Sequence, residues 1–230
     1  MIPCISVDNM RRSDEYTIAN LVPSLELMHR AAYGVFLAHS WEGRTAVVAG
    51  SGNNGGDGFA LACILKEKGY DCAVFTLSTR LSADSAHYAA EAEKLGVAVT
   101  PFEPGCLRGF DTVVDCLLGT GFQGVPREPV ASVIRALNSA RAQDKDKYVV
   151  SVDINSGMNG DTGLCEIAVR SDLTVTIGYV KQGLVTEHAG LYMKKLVCAD
   201  IGIVLVKDEG VIDETNCPAW LDTAVISATP

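Results

Sequence analysis

A β-branched run that breaks into glycine restricts this chain more than any other feature. Residues 44–49 read as a short buried strand, the stretch Gly50-Ser51-Gly52-Asn53-Asn54-Gly55-Gly56-Asp57-Gly58 follows as a turn, and helical spacing of apolar residues resumes at Phe59. Strand, glycine turn and helix in that order predict the first βα unit of a parallel sheet. Gly50, Gly52 and Gly55 meet the G-x-G-x-x-G spacing, in which glycines permit a tight turn and close backbone approach to a ligand. The helix start beyond them offers unpaired N–H groups and a positive dipole end to an anion. Asn53, Asn54 and Asp57 make the loop more polar than holding a phosphate requires.

The pattern of alternating elements continues along the chain. Residues 1–12 are expected to run extended and then turn, and a first helix to start at Ser13 or Asp14, either of which suits a cap. A second helix over 24–37 carries Leu27, Met28, Ala31, Ala32, Val35 and Phe36 on one stripe. Further helices are expected over 58–68, stopped by Gly69, and over 83–95 and 129–141. Strands are expected over 71–77, 97–100, 110–118, 148–154, 173–177 and 196–204. The tail after Asp213 carries no readable signal. No repeat or change of composition divides the 230 residues, so one α/β domain over 1–230 is expected.

Composition narrows the function. A formal charge of -9 argues against a nucleic-acid partner, which needs concentrated Lys and Arg. The eight cysteines form no C-x-x-C pair and no His/Cys cluster at zinc spacing, and read as small buried residues in a reducing compartment. No signal-like start and no bilayer-length apolar run occur, so a soluble cytoplasmic protein without a membrane partner is expected.

In an open parallel sheet, ligands bind beyond the carboxyl ends of the strands. Four stretches gather polar and glycine residues there: 50–58, 115–124, 153–157 and 178–183. A dinucleotide dehydrogenase would place an acid at the end of the second strand. Here that strand ends Phe75-Thr76-Leu77-Ser78-Thr79-Arg80, and Arg80 keeps an NADP-dependent reductase open. Against it, Asp57 sets a carboxylate where a pyrophosphate would sit. A catalytically weak nucleotide- or protein-binding module also stays open.

Three stretches in order, Ser51 to Gly58, Asp115 with Gly119-Thr120-Gly121-Phe122-Gln123-Gly124, and Asp153-Ile154-Asn155-Ser156-Gly157, closely resemble the motifs of the NAD(P)HX epimerase family, the YjeF N-terminal domain family. Met10 to Glu15 and Glu26 to Ala32 resemble its N-terminal helices. The resemblance implies a Rossmann-like three-layer αβα sandwich with a mostly parallel central sheet. It places N-terminal helices at about 8–40 and a nucleotide-binding core at about 44–206. It implies epimerisation of hydrated NADH or NADPH and a potassium ion held by Asn54, Asp115 and Ser156. Substrate contacts would fall on Asn53, Asn54, Gly55, Gly56, Asp57, Gly119, Thr120, Gly121, Phe122, Gln123, Gly124, Val125 and Asp153. A homodimer through the N-terminal helices follows from the same resemblance. Family members also occur fused to a C-terminal dehydratase domain, so association with such a domain is a further expectation. One departure stands out: Asn155 occupies a position where the family usually has proline, which suggests a local change in stiffness.

The implied substrate carries a hydroxyl and the ring nitrogen on the same carbon, C6. The nitrogen lone pair helps expel the hydroxyl, leaving a cationic C=N, and water re-adds to the other face. That route needs an acid, a base and nearby negative charge. Asp153 is expected to be the principal acid/base, with Asp115 mainly serving the ion. Lys181 follows the 173–177 strand, where neutralising a phosphate, assisting proton transfer and lying solvated are all open to it.

Overall fold

The computed structural model describes residues 2–213, 216–221 and 223–229. The chain opens with β1 (Ile2–Ile5), α1 (Val7–Asn20) and α2 (Ser24–Ala38). It then enters the main sheet through β2 (Arg44–Ala49), α3 (Asn53–Glu67), β3 (Asp71–Thr76), α4 (Ala83–Lys94) and β4 (Ala98–Pro101). Next come β5 (Thr112–Cys116), α5 (Val130–Gln143), β6 (Tyr148–Val152), β7 (Leu173–Ile177) and the short β8 (Val180–Lys181). Two 3₁₀ turns lead to β9 (Leu196–Asp200), β10 (Gly210–Ile212) and β11 (Thr223–Ser227).

Eight strands form one sheet in the order β11-β9-β7-β6-β5-β2-β3-β4, and every neighbouring pair is parallel. The chain moves outward from β2 to β4, returns to β5 on the other side of β2, and moves outward again. The direction therefore reverses between β2 and β5, which opens a crevice beyond their carboxyl ends. A second sheet, β10-β1-β8, ties the first strand of the chain to Val180 and Lys181.

Alternation along the strands builds the layers. Val47 and Ala49 of β2, Val74 of β3 and Val114 of β5 turn to α2 and α3, whose Leu27, Ala31, Phe59 and Ala62 complete one core. Ala46 and Val48 turn the other way, toward Val133, Ile134 and Leu137 of α5. Farther along that second face, Leu196 and Cys198 of β9 meet Ile154, Met158 and Leu184 from irregular segments, with Cys4 and Ile212 of the small sheet. The result is a three-layer α/β sandwich whose second outer layer is one helix plus a small sheet.

The structure corrects several boundaries. The first helix begins at Val7, not near Ser13, and is capped by Ser6, whose hydroxyl accepts from Asn9 N–H at 3.2 Å. Its inward stripe is polar, which hides it from a reading by apolar period. Asn9 donates to Lys207 O, Ser13 Oγ accepts from Val206 N–H, and Thr17 Oγ1 accepts from Val204 N–H. α3 begins at Asn53, five residues before the expected start, because its glycines pack where larger side chains cannot. The expected strands 110–118, 148–154 and 196–204 end early, at Cys116, Val152 and Asp200. The apolar residues just beyond them, Leu117, Ile154 and Ile201, are buried in the loops over the sheet edge. The unread tail supplies β11, an added parallel strand on β9. Among the described residues, no helix is long and apolar enough to cross a membrane.

At the end of the sheet away from the crevice, Asp172 fixes β6, β7 and α5 together. Its carboxylate accepts from Arg141 Nε and Nη2, both at 2.9 Å, from Lys194 Nζ at 2.5 Å, and from Val149 N–H at 3.0 Å. Burial pushes this carboxyl up, but the bonds from Arg141, Lys194 and Val149 outweigh it and hold the group below its ordinary value. A carboxylate lowered by folding contributes stability that is complete above the unfolded value, about 4, and lost as pH falls through the folded one. Asp172→Asn is therefore expected to cost about 2–3 kcal/mol at pH 7. In chemical denaturation the gap from the parent protein should narrow toward pH 3.

Candidate functional site

Four loops leave the carboxyl ends of β2, β5, β6 and β7, and together with α1 and α2 they wall a cavity of about 570 Å³ over the β2/β5 crevice. The first two loops touch through backbone. A Cβ on Gly50 would lie 2.0 Å from Leu117 O, so only glycine allows this approach.

Beneath the cavity, Asp115 joins β5 to the loop after β6. One carboxylate oxygen accepts from Ser156 Oγ at 2.5 Å and Leu117 N–H at 3.3 Å. The other accepts from Ser151 Oγ and Ser156 N–H, both at 2.9 Å. Burial pushes this carboxyl above its ordinary value, against the pull of those bonds. Ser156 in turn holds Leu118, whose N–H donates to Ser156 Oγ at 2.9 Å. Leu118 O accepts from Asn54 Nδ2 at 2.9 Å. The other Asn54 side-chain atom, Oδ1, is buried and has no hydrogen-bond partner among the described residues. An unsatisfied buried oxygen is costly unless something binds it. Hydrogen bonds link Asn54 through Leu118 and Ser156 to Asp115, and the oxygens of this set are of the kind that suits a hard cation.

Asp153 sits just past β6 with φ +68°, a left-handed conformation rare for a side-chain-bearing residue. Ile154 N–H donates to Val152 O across it, closing a three-residue turn. The turn aims the carboxylate at the cavity, where Oδ2 accepts from Thr120 N–H at 2.9 Å and Oδ1 from Lys181 Nζ at 2.6 Å. A Cβ on Gly119 would come within 2.8 Å of that Oδ2. Lys181 is 1% exposed, and its ammonium also donates to Thr176 Oγ1 at 3.1 Å and Ile177 O at 2.6 Å. All three of its donors are used, so Lys181 is neither solvated nor free to grip a phosphate.

Further carboxyls face the same space, among them Asp84 at the start of α4. Asp57, one turn into α3, and Asp14, on α1, line the cavity, and neither makes a hydrogen bond or ion pair among the described residues. Burial holds Asp57 well above the ordinary carboxyl value, and the charges of Asp153 and Asp14 push the same way against Lys181. Burial also raises Asp14, with Lys181 opposing and Asp153 and Glu15 adding.

The structure brings Asn53, Asn54, Asp57, Gly119, Thr120, Gly121, Phe122, Asp153 and Lys181 into one cavity wall. It keeps the others off that wall. Asp115 and Ser156 lie beneath it, 0% and 1% exposed. Gly55 and Gly56 face inward, toward Gly50 O and Met28. Gln123, Gly124 and Val125 lie exposed at the far end of their loop, and Arg80 is exposed outside the cavity. Asp14 escaped the sequence reading because it passed as a capping residue. Only the pairing of β1 with β8, remote in sequence, brings α1 over the site.

The chain is similar to known proteins on three counts. The family model described as YjeF-related protein N-terminus matches residues 24–183. A Limosilactobacillus fermentum protein named NAD(P)H-hydrate epimerase is 37% identical over 206 residues, 85% of this chain and 95% of that protein. A bifunctional NAD(P)H-hydrate repair enzyme Nnr of Archaeoglobus fulgidus is 36% identical over 188 residues, and the match covers 80% of this chain but 37% of that protein. Among solved structures, the crystal structure of yeast ynu0 (YNL200c) superposes with a TM-score of 0.72 at 21% identity, over 93% of this chain and 98% of the yeast one. That likeness speaks to the fold.

Asn155, expected to alter only stiffness, is a buried clamp. Its amide donates to Val169 O at 2.9 Å and Ser171 Oγ at 3.0 Å, and its carbonyl accepts from Thr174 Oγ1 at 2.6 Å. Asn155→Pro strands these buried partners, so it should lower unfolding free energy by about 2–4 kcal/mol. A denaturation midpoint equal to the parent's would refute the clamp.

Proposed function

The chain belongs to the family of the YjeF-related protein N-terminus, and from that membership and the cavity we infer that it is an isomerase, one that interconverts the R and S forms of hydrated NADH and NADPH at nicotinamide C6. The observation that carries this reading is the gathering of Asp153, Asp57 and Asp14 around one cavity at the sheet's switch point. Loss of the C6 hydroxyl leaves a positive ring, and fixed carboxylates in a site partly closed to water stabilise such a cation. Asp153 is the principal acid/base in this reading. Its strained turn and the Lys181 ammonium hold it in a single orientation, so little reorganisation is needed when the proton moves. Lys181 thus acts on the carboxylate rather than on the substrate. The backbone of Gly119 to Phe122 and the uncapped start of α3 at Asn53 support binding of the dinucleotide body.

A potassium ion fits the oxygen set of Asn54, Ser156 and Asp115, with Asn54 Oδ1 as the atom that lacks any other partner. When bound, it supplies a fixed positive charge that offsets buried Asp115 and joins the loops after β2 and β5. Thermal unfolding tests this without activity: potassium should raise Tm relative to tetramethylammonium, and Asn54→Ala should abolish the difference. Equal Tm values in both salts would refute the site.

The unpaired cysteines support a reducing compartment, the cytoplasm. Exposed Tyr16 and Ile18 on α1, with Leu21 just beyond it, support a homodimer through the N-terminal helices, and the bifunctional relatives support association with a dehydratase domain. The activity is tested by incubating the protein with the R epimer of hydrated NADH and separating the epimers by chromatography. The S form should accumulate faster than in a protein-free control. Identical time courses would overturn the reading.

A further inference from the structure

Epimerisation at C6 imposes a geometric requirement that one carboxylate does not meet. The hydroxyl leaves from one face of the ring and water returns to the other. A group fixed on one side reaches only one of these events unless the ring turns over inside the cavity. Asp153 is fixed: both of its oxygens are engaged, one by Thr120 N–H and one by Lys181. Asp57 differs from it in each respect. It projects from a different wall, the second turn of α3, and it has no bonding partner among the described residues. Resting on the epimerase reading above, we propose that Asp57 is a second catalytic acid/base, which protonates the departing hydroxyl on one face while Asp153 serves the other.

The step balances as follows. The Asp57 O–H proton passes to the C6 hydroxyl, the C6–O bond breaks with its electron pair on oxygen, and water leaves. The ring nitrogen lone pair becomes the second bond of C=N. Water then attacks C6 from the opposite face, that pair returns to nitrogen, and the water's spare proton goes to Asp153. One turnover moves one proton from Asp57 to Asp153, which is the starting state for the reverse conversion. Asp14, facing the same cavity, offers a further carboxyl through which solvent protons restore the first state.

The surroundings suit a carboxyl that keeps its proton until substrate arrives. Asp57 is faced by Asp14 of α1, Asp84 and Tyr88 of α4, Cys116 of β5 and Asp153 beyond β6, with Lys181 of β8 as the countercharge that opposes them and Arg11 of α1 on the same cavity wall. From α2 it meets apolar Leu27, Met28 and Ala31 across the cavity. Burial leads the rise in its proton affinity, and the neighbouring carboxylates add to it.

The test uses the intact chain with hydrated NADH of one epimer, and reads kcat and KM above the protein-free rate. Asp57→Asn should lower kcat by about 100-fold or more, the usual scale for a lost acid/base, with KM within about threefold. Asp57→Glu, which restores a carboxyl, should recover activity well above the amide. In the parent, kcat/KM should fall on the alkaline side as Asp57 deprotonates, and that limb should vanish in Asp57→Asn. Folding should survive, since a carboxyl raised by burial costs stability as pH rises and the amide does not; Tm at pH 7 should match or exceed the parent's. A folded Asp57→Asn with kcat within tenfold of the parent overturns the proposal and leaves the epimerase reading standing. A parent protein that does not speed interconversion removes both.

Discussion

The site depends on one carboxylate buried beneath its cavity. Asp115 accepts from Ser151, Ser156 and Leu117, and so welds the end of β5 to the loop after β6. Ser156, placed by that bond, holds Leu118, and Leu118 holds Asn54 at the start of α3. Three motifs scattered over a hundred residues are thereby joined by a single chain of hydrogen bonds. A carboxylate sealed from water is costly to bury. Its cost is offset only if each lone pair is used, and this arrangement uses both oxygens twice.

Above that weld, charge is distributed unevenly. Lys181 gives all its donors to Asp153, Thr176 and Ile177, while Asp57 and Asp14 face the same cavity without a hydrogen bond or ion pair among the described residues. A binding module that only held a dinucleotide would have little use for Asp57 and Asp14, since neither offers a phosphate a positive charge. Their placement suits a ligand that becomes positive, or a proton in transit. Arg80, the residue that kept a 2′-phosphate open, lies outside the cavity altogether.

Much of this was legible in the residues. β2 and β7 have the ends that the sequence implies, because β-branched runs bounded by Gly, Asp or Ser leave little choice. The gathering of residues 50–58, 115–124 and 153–157 at one edge follows from parallel topology and the strand ends alone. The misreadings share a cause. α1 was read short because its buried face is Asn9, Ser13 and Thr17, bonded to residues 204–207, and such a face has no apolar period to detect. That the loop after β6 covers Asp115 was not legible either, since sequence places a residue on a strand but does not tell which carboxylates another loop covers. Asn155 looked like a turn residue, and its four side-chain partners lie up to thirty-seven positions away.

The N-terminal segment explains why the least legible part of the site is also its most interdependent part. β1 pairs with β8 through Cys4 and Ile5 against Val180 and Lys181, so the first strand of the chain helps position the lysine that orients Asp153. The same segment runs on into α1, which carries Asp14 to the opposite wall. Its polar stripe bonds to the backbone of residues 204–207, which follow β9. Hydrogen bonds that span nearly two hundred residues cost much chain entropy to form, and they form only once the sheet already stands. The glycine loop and its strand can be assembled from local sequence alone. The wall that faces them, with the carboxyl that sequence reading took for a helix cap, exists only as a product of the completed fold.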